Sequence, residues 1–422
     1  MKALGPGARQ TGAKMGCPVH GRLNDVPADR VVSFNYRTGE AMVADPWTVL
    51  HDLGTGPGFF YSPELGGHWC AAKRETVIDI LRNFELFSSR NIRVPRLERT
   101  VPSIPHHMDP PEHGRYRISV VELFGHRILD ELTPAIRATA RGLANELATR
   151  NEAEFVRDFA MRMPVEIFMR MCGLPLERRD EMIGWVQSYF HGASQQESND
   201  AHEKSIDYLS GWLDEQLVDP DKSGGHIMPS LLKTRVDGRP LSREEMLSII
   251  ITLFNGGLDT VAAQMTHIMR YLAEHEDQRQ KLLNNPDKIP DAVEELLRRF
   301  SIISIGREVT RDATYAGVEL RQGDMVLCLI SAAGLDEEIF PQALEVDFDR
   351  PNRRQHCAFG SGPHMCVGAP LARLELRIML EELLPRLPEL RVRPGASLSY
   401  HTGVTLGLVE LPLQWGESVN VS

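Results

Sequence analysis

The most constraining feature of the chain is a cysteine in a glycine-rich loop directly ahead of an amphipathic helix. Residues 359–380 read FGSGPHMCVGAPLARLELRIML, with Cys366 in the loop and Pro370 in the expected first turn of the helix. The thiol is therefore expected at the positive end of the helix dipole, among backbone N–H groups that have no helical partner. Such a position favours a thiolate.

The residues around Cys366 indicate what a thiolate would bind there. Gly360, Gly362 and Gly368 let the backbone approach a flat, bulky ligand, and Phe359 can pack on its face. A flat ligand held by one thiolate indicates haem. The competing interpretation is a buried structural cysteine in a glycine turn, which is the commoner role of a lone cysteine.

The composition limits the functions that the chain can have. Its 422 residues are 42% hydrophobic and 25% charged, and the formal net charge of -11 opposes a general attraction to nucleic acid or to an anionic membrane. The six cysteines form no CxxC pair, which favours a reducing compartment with mostly buried thiols. The longest apolar run, 246–254, is far shorter than the roughly 18 residues that span a bilayer. We expect a soluble, cytoplasmic protein with neither nucleic-acid nor membrane partners.

The chain is predicted to be mainly α-helical with small β-sheets. Apolar residues recur at helical spacing in four long segments: 129–147, 243–274, 290–300 and 371–384. Strand-like pieces are short: 58–61, 68–72, 313–320, 325–329 and 403–413. Residues 1–25 lack the apolar core of a signal peptide and are expected to form a flexible tail. Residues 26–422 show no linker or repeat and are expected to form one domain.

The string FGSGPHMCVG resembles the FGxGxHxCxG cysteine loop of the cytochrome P-450 family, the haem-thiolate monooxygenases. This pattern is highly specific and outweighs the structural interpretation of the cysteine. The resemblance implies the cytochrome P-450 fold, with haem b between a long oxygen-side helix and the cysteine loop. It also implies that Cys366 is the iron ligand and that four other loop residues contact the cofactor: Phe359, Gly360, His364 and Gly368.

Two further segments resemble the same family. EELLRRF places Glu295 and Arg298 in the Glu-x-x-Arg arrangement that the family uses as a buried ion pair, for which Arg350 is the third partner. Taken alone, a glutamate and an arginine three apart on a helix are usually a solvated pair. DPPEHGRYR, GRE and the cysteine loop supply the donors that the resemblance assigns to the haem propionates: His113, Arg117, Arg307 and His364.

The segment FNGGLDTVAAQ lies within the long apolar helix, where each of its two glycines costs about 1 kcal/mol relative to alanine. Close helix packing would explain the glycines alone. The adjacent Asp259 and Thr260 match the acid and alcohol with which the family delivers protons on the oxygen side of the haem. This pair favours oxygen activation over two alternatives, a peroxide-driven peroxygenase and a non-catalytic thiolate-haem sensor.

The C-terminal half resembles the camphor-hydroxylase-like subgroup most strongly, as in GGLDTV and TGVTLGLVELPLQW. Where that subgroup has a tyrosine that bonds the camphor ketone, this chain has Val101, which argues against camphor itself. The register assigns an apolar pocket with a few polar groups: Val101, Thr252, Asn255, Gly256, Ile303, Ile305, Val404 and Thr405. The predicted reaction is hydroxylation of a small apolar cyclic substrate, a monoterpenoid or norisoprenoid, with Asn255 bonding its oxygen or serving only in helix packing.

The resemblance also concerns proton and electron supply. It places His191, in SYFHGAS, where the subgroup pairs the helix aspartate with an arginine, although a solvated loop histidine is the commoner case. Electrons are expected from NAD(P)H through a ferredoxin reductase and a small iron-sulfur ferredoxin. The ferredoxin would dock on the cysteine side of the haem, at a local basic patch made of Lys73, Arg74, Arg117, Arg353 and Arg373. The segment 88–107 corresponds to a family loop that can close over the pocket.

Overall fold

The fold is known from a computed structural model that describes residues 25–96, 103–192, 194–219 and 224–416. Within these residues the α-helices are α1 (Glu40–Ala44), α2 (Pro46–Thr55), α3 (Arg74–Arg82), α4 (Glu112–Val121), α5 (His126–Ala148), α6 (Arg162–Cys172), α7 (Arg179–His191), α8 (Gln195–Val218), α9 (Ile227–Lys233), α10 (Arg243–Gly257), α11 (Asp259–Glu274), α12 (Glu276–Asn284), α13 (Ile289–Arg299), α14 (Ile330–Ala333) and α15 (Ala369–Leu383). The predicted tail, 1–25, lies outside the described residues except for Asp25.

The strands of the described residues are short. They are β1 (Phe59–Ser62), β2 (His68–Ala71), β3 (Phe87–Ser88), β4 (Glu152–Glu154), β5 (Arg235–Val236), β6 (Arg239–Pro240), β7 (Ser304–Val309), β8 (Ala313–Tyr315), β9 (Val318–Leu320), β10 (Met325–Leu329), β11 (Arg391–Val392), β12 (Tyr400–His401), β13 (Gly407–Leu408) and β14 (Pro412–Gln414). The prediction of a mainly α-helical protein with small sheets is confirmed.

The helices predicted from apolar spacing are all present. α5, α13 and α15 occupy three of the four predicted segments to within a few residues. The fourth segment is helical from Arg243 to Glu274 but is divided into α10 and α11 at Leu258, directly after Gly256 and Gly257. By length and composition this stretch could cross a membrane, yet half of its most apolar window is buried inside the protein, as in a core helix.

The largest sheet has five strands in the order β1-β2-β10-β7-β3, with β2 and β10 parallel and the other neighbours antiparallel. β1, β2 and β10 were predicted, and the predicted strand 313–320 is the hairpin β8-β9, which turns through positive φ at Ala316 and Gly317. The prediction of one strand over 403–413 is wrong. Its first part instead runs along β7, where Ser304 N–H donates to the Val404 carbonyl at 2.9 Å.

In the core, α15 packs against α5, α13 and α11, and the five-stranded sheet packs against α3 and α14. Four cysteines, Cys70, Cys172, Cys328 and Cys357, are buried as predicted, whereas Cys366 is exposed. Burial raises the pKa of the Cys328 thiol to about 12, so the thiol is inert at neutral pH. The fold brings three elements around Cys366 and Thr260: the loop before α15, the break between α10 and α11, and strand β7.

Candidate functional site

The cysteine loop folds back on itself before α15 begins. Cys366 N–H donates to the Phe359 carbonyl at 2.9 Å, and Gly360 N–H donates to the Cys357 carbonyl at 2.7 Å. Gly360 has φ of +73°, in the left-handed region, and a Cβ at this position would meet nothing within 4 Å. The glycine is therefore required by the turn and leaves one face of the loop open.

A different reason explains Gly362. Its φ is +70°, and a Cβ would lie 2.7 Å from the Leu81 carbonyl oxygen at the end of α3. The glycine is therefore needed at least for the close approach of α3. Gly368 has an ordinary φ of -79°, and a Cβ there would be 3.8 Å from Cys366 Sγ.

Burial raises the pKa of the Cys366 thiol, while the N–H groups of Gly368 and Ala369 and the charges of Arg117 and Arg373 act in the opposite direction. The two N–H groups at the start of α15 and the two arginines therefore favour the thiolate at Cys366, as expected for a helix N-terminus, and burial opposes it. A bound metal cation would remove the thiol proton, and these N–H groups and arginines would then stabilise the thiolate.

Behind the loop, Glu294 joins two side chains that the sequence had not linked. It accepts from Arg373 Nε at 2.5 Å and from His356 Nε2 at 3.1 Å, and these partners hold the pKa of the half-buried carboxyl near 2 against the effect of burial. The Arg373 guanidinium also lies 4.5 Å from the centre of the Phe359 ring. Phe359 is thus oriented by a cation on one of its faces.

The predicted Glu295, Arg298 and Arg350 form a buried charged cluster. Arg298 Nη2 donates to Glu295 Oε1 at 2.7 Å, and Arg298 Nε donates to Oε2 at 2.9 Å. Arg350 Nε donates to the same Oε1 at 2.9 Å. The rest of both guanidinium groups is bonded to backbone carbonyls of residues 334–345. This prediction is confirmed in geometry, and the cluster fixes the chain segment that leads into the cysteine loop.

Four predicted propionate donors converge on the other side of the loop. His113 and Arg117 lie one turn apart on α4, and the rings of His113 and His364 are 4.1 Å apart. His364 Nε2 donates to the Met108 carbonyl at 2.9 Å, and Arg117 donates to the Met365 carbonyl. Arg307, on β7, is buried, and the charge of Arg307 lowers the pKa of His364 after burial, to about 2.

These donors have the features of an anion site. Among the described residues no acid lies within ion-pair distance of Arg307 or Arg117, and His113 Nε2 is buried without a hydrogen-bond partner. A buried guanidinium without a counter-charge is costly, so a bound anion is expected to compensate it. Burial also lowers the pKa of His113 to about 4, which keeps it neutral and able to donate one hydrogen bond. The donor set fits the two carboxylates of a haem.

On the opposite face, the break at Leu258 exposes the helix backbone. Thr260 Oγ1 donates to the Gly256 carbonyl at 3.0 Å, and Gly256 and Gly257 are both exposed in an otherwise buried helix. Thr260 is therefore held by the turn that precedes the break, with its hydroxyl beside an accessible stretch of backbone. Polar groups at this point can hold and pass protons.

Asp259 is buried and has the neighbour that the resemblance predicted. Its Oδ1 accepts from His191 Nε2 at 2.7 Å, and its Oδ2 has no hydrogen-bond partner in the described part of the chain. His191, the last residue of α7, is 27% exposed and so connects the buried carboxylate to solvent. Sequence reasoning missed His401, whose ring centre is 3.8 Å from that of His191.

The predicted substrate residues fall into two groups, one on α10 ahead of the break and one at β7 and the segment paired with it. Ile303 and Thr405 form a β-bridge, which places Val404 and Thr405 beside β7 together with Ile305. Thr252 Oγ1 is used within its own helix, where it donates to the Ser248 carbonyl at 2.8 Å.

Asn255 Oδ1, by contrast, is buried without a partner among the described residues. Val101 lies outside the described residues. Nearby, the described part of the segment 88–107 is joined to α10 through Ile104 N–H, which donates to Ser248 Oγ at 2.9 Å.

Comparison with known proteins identifies the family. The family profile of cytochrome P450 matches residues 180–394. The chain is 33% identical over 404 residues to a probable cytochrome P450 127A1 of Sinorhizobium fredii, covering 92% of this chain and 96% of that protein. The chain belongs to the cytochrome P450 family. It is also 35% identical to the mycinamicin IV hydroxylase/epoxidase of Micromonospora griseorubida, over 73% of this chain and 79% of that one.

The fold of this cytochrome P450 also matches a solved structure. The crystal structure of cytochrome P450 CYP101C1 superposes with a TM-score of 0.84 at 32% identity, covering 93% of this chain and 99% of that one. The CYP101 group is the camphor-hydroxylase family, so the predicted subgroup is confirmed. The protein is a cytochrome P450 monooxygenase, and its family uses haem as the cofactor.

The predicted ferredoxin patch is less basic than the sequence suggested. Three of its five cations have acidic partners on this chain: Lys73 with Glu338, Arg353 with Asp291 and Arg373 with Glu294. Arg74 and Arg117 are the other two, and their described side-chain bonds go to the carbonyls of Gln355 and Met365.

Proposed function

We propose that this cytochrome P450 hydroxylates a small apolar cyclic substrate, a monoterpenoid or norisoprenoid. The proposal is supported by the predicted substrate residues, which combine apolar side chains with one buried polar atom that has no partner among the described residues. Ile303 and Ile305 supply apolar surface, and Asn255 supplies a buried amide oxygen that has no partner among the described residues. A buried polar atom without a partner is costly, and a substrate that donates or relays a hydrogen bond would compensate it.

We propose that haem b is held through Cys366 as the iron ligand, with Phe359, Gly360 and Gly368 on the loop side. His113, Arg117, Arg307 and His364 would hold the propionates by charge-assisted hydrogen bonds. When bound, a haem with a thiolate ligand supplies cleavage of the O–O bond. The Glu295 cluster would keep the loop rigid, because its charges are saturated by partners on the same chain.

On the oxygen side, we propose that Thr260 and Asp259 deliver protons. Thr260 is held by the Gly256 carbonyl and faces the accessible backbone at the helix break. Asp259 would receive protons from solvent through His191, which is partly exposed while the carboxylate is not. The two residues open α11, so both groups lie at the helix break.

We propose that the electrons come from NAD(P)H through a reductase and an iron-sulfur ferredoxin, which docks beside the cysteine loop. α4 and the loop present exposed apolar side chains there, Ile118, Val121 and Met365, next to Arg117. A small apolar centre flanked by cations suits a transient acidic partner. We further propose that residues 26–422 form one haem-binding domain after the tail 1–25, and that the enzyme works in the cytoplasm.

Two alternatives differ in how oxygen is used. A peroxide-driven peroxygenase would not need the Asp259 and Thr260 pair, and neither would a non-catalytic thiolate-haem sensor. Product formation with NADH, ferredoxin and reductase supports the monooxygenase. Efficient turnover with peroxide alone would support the peroxygenase, and substrate binding without NADH consumption would support the sensor.

The substrate class is tested by titrating the purified ferric protein with cyclic terpenoids, norisoprenoids, fatty acids and aromatic acids. A change of the haem Soret band reports entry of a ligand into the site. We expect the strongest response from one cyclic class. A response only to fatty or aromatic acids would overturn the terpenoid proposal, and a Cys366→Ser variant that kept the native spectrum would overturn the ligand assignment.

The role of Asn255 is tested by Asn255→Leu, with Thr252→Val as the matched control. Loss of one hydrogen bond to a substrate oxygen should weaken binding by about 5- to 10-fold. Thr252→Val should change affinity less, because the Thr252 hydroxyl already donates to the Ser248 carbonyl. Equal affinity and product distribution in native protein and Asn255→Leu would assign Asn255 to helix packing.

A further inference from the structure

The oxygen-side acid lies in a cluster of three titratable side chains from three distant elements. Asp259 begins α11, His191 ends α7, and His401 lies on β12. His191 bonds Asp259 at 2.7 Å, and the His401 ring lies 3.8 Å from the His191 ring at an angle of 45°. The two imidazoles therefore pack against each other beside a single carboxylate.

The position of His401 is fixed from its other side by Gly407. The two residues are paired across β12 and β13, and a Cβ on Gly407 would overlap His401 Nε2. The same Cβ would lie 3.2 Å from the Ala263 side chain, which is one turn after Asp259 on α11. His401 is thus wedged between the Gly407 backbone and the His191 ring, with no space for another orientation on the Gly407 side.

The charges around the cluster favour a positive charge on only one of the two imidazoles at a time. Burial lowers the pKa of His401 to about 4, and a positive charge on His191 lowers it further, whereas Asp259 acts in the opposite direction. Asp259 on α11 and His401 on β12 face His191, and Glu197 on α8 accepts from Ser188, one turn before His191. His401 is neutral at neutral pH, which leaves His191 as the ring that exchanges protons with Asp259 and solvent.

We propose that His401 is a positioning residue that holds His191 against Asp259 through neutral ring packing, so that this pair takes up and releases one proton as a unit. The inference rests on the proposed role of Asp259 in proton delivery. In one transfer the Nε2 proton of the His191 imidazolium moves to Asp259 Oδ1, which leaves a neutral His191 and a neutral acid. His191 regains its proton from solvent at its exposed edge.

The first experiment compares His401→Ala with His401→Phe in the haem-loaded enzyme. Product formed per NADH should fall at least about 5-fold in His401→Ala, because His191 loses the surface that orients it. His401→Phe keeps a flat ring that cannot titrate and should retain at least half of the native value. Equal loss in both variants, or no loss in His401→Ala, would overturn the positioning role.

The pH profile separates positioning from general stability. Coupling should depend on pH in native enzyme and in His401→Phe, because both keep the imidazole of His191 as the proton-exchanging group. It should be flat in His191→Arg, whose cation is permanent. His401→Lys, which adds a fixed charge next to His191, should move the midpoint to lower pH. An unmoved midpoint in His401→Lys would contradict the packing of the two side chains.

A readout without turnover comes from NMR of ¹⁵N-labelled histidine in the reduced carbon-monoxide form of the holoenzyme. His401 should remain neutral down to about pH 4. A midpoint above pH 6 for His401 would overturn the inference. This measurement needs no substrate, so its result does not depend on the proposed function. The proposed function itself fails if native enzyme, supplied with electrons by a ferredoxin, forms no product from any candidate substrate.

Discussion

Replacement of Glu295 by glutamine should be among the most damaging single changes that keep the side-chain volume. Glu295 and Arg298 are both 0% exposed, and Glu295 Oε1 also accepts from Arg350. The amide would remove the negative charge and direct an NH2 group at guanidinium donors. Two buried cations would then lack their counter-charge, which costs about 3–5 kcal/mol.

The matched control is Glu131→Gln, which breaks a salt bridge of the same chemistry on the surface of α5. Arg127 and Glu131 are 2.9 Å apart, but their side chains are 77% and 46% exposed. Screening by water limits such a pair to about 0.5 kcal/mol or less. The two substitutions therefore differ in burial while they share the chemical change.

The assay is urea unfolding of the haem-loaded proteins, followed by far-ultraviolet circular dichroism. With a slope of about 3 kcal/mol per molar urea, the Glu295→Gln midpoint should fall by about 1 M or more, and the Glu131→Gln midpoint by less than about 0.2 M. Midpoints within about 0.2 M of each other would refute the reasoning that the buried charges depend on Glu295.

Three further predictions concern other parts of the protein. In Gly407→Ala the new methyl group would overlap His401, and such overpacking costs about 1–3 kcal/mol. The urea midpoint should therefore fall, and the pH dependence of coupling should disappear. An unchanged midpoint would contradict the close approach of His401 to Gly407. Burial lowers the pKa of His267 to about 3, so as the pH falls the unfolded chain binds a proton at this histidine before the folded protein does. The free energy of unfolding should therefore fall by up to about 5 kcal/mol between pH 6.5 and 3, and His267→Gln should reduce this loss. Arg74→Ala should slow reduction by an acidic ferredoxin at low salt with haem content unchanged, and the difference should vanish at high salt; a deficit that persists at high salt would point to lost packing.

The long helices and the cysteine loop could be predicted because their signals are local. Apolar spacing determines which face of α5, α13 and α15 is buried, and that spacing is visible in any single window of sequence. The break at Leu258 is less visible, because two glycines in a helix permit either close packing or an opening. The structure decides for an opening, because α10 ends and α11 begins at Leu258.

Contacts between distant segments were predictable only where the family resemblance supplied a register. This worked for His191 and Asp259, and for Glu295 with Arg350. It failed for His401, because nothing in the sequence around a two-residue strand indicates which helix it packs against. The sequence also could not show how strongly burial opposes the thiolate at Cys366, because the helix dipole is local but desolvation depends on the whole fold.

Two buried arginines show what the fold adds to the identity of a residue. Arg298 is bonded to Glu295 and to backbone carbonyls, so its charge is neutralised within the chain. Arg307 is equally hidden from solvent, yet its described bond goes only to the Gly306 carbonyl. Burial alone would treat the two arginines alike. Arg298 has its own acid and stabilises the fold, whereas Arg307 requires an anion from outside the chain. A haem propionate can be that anion.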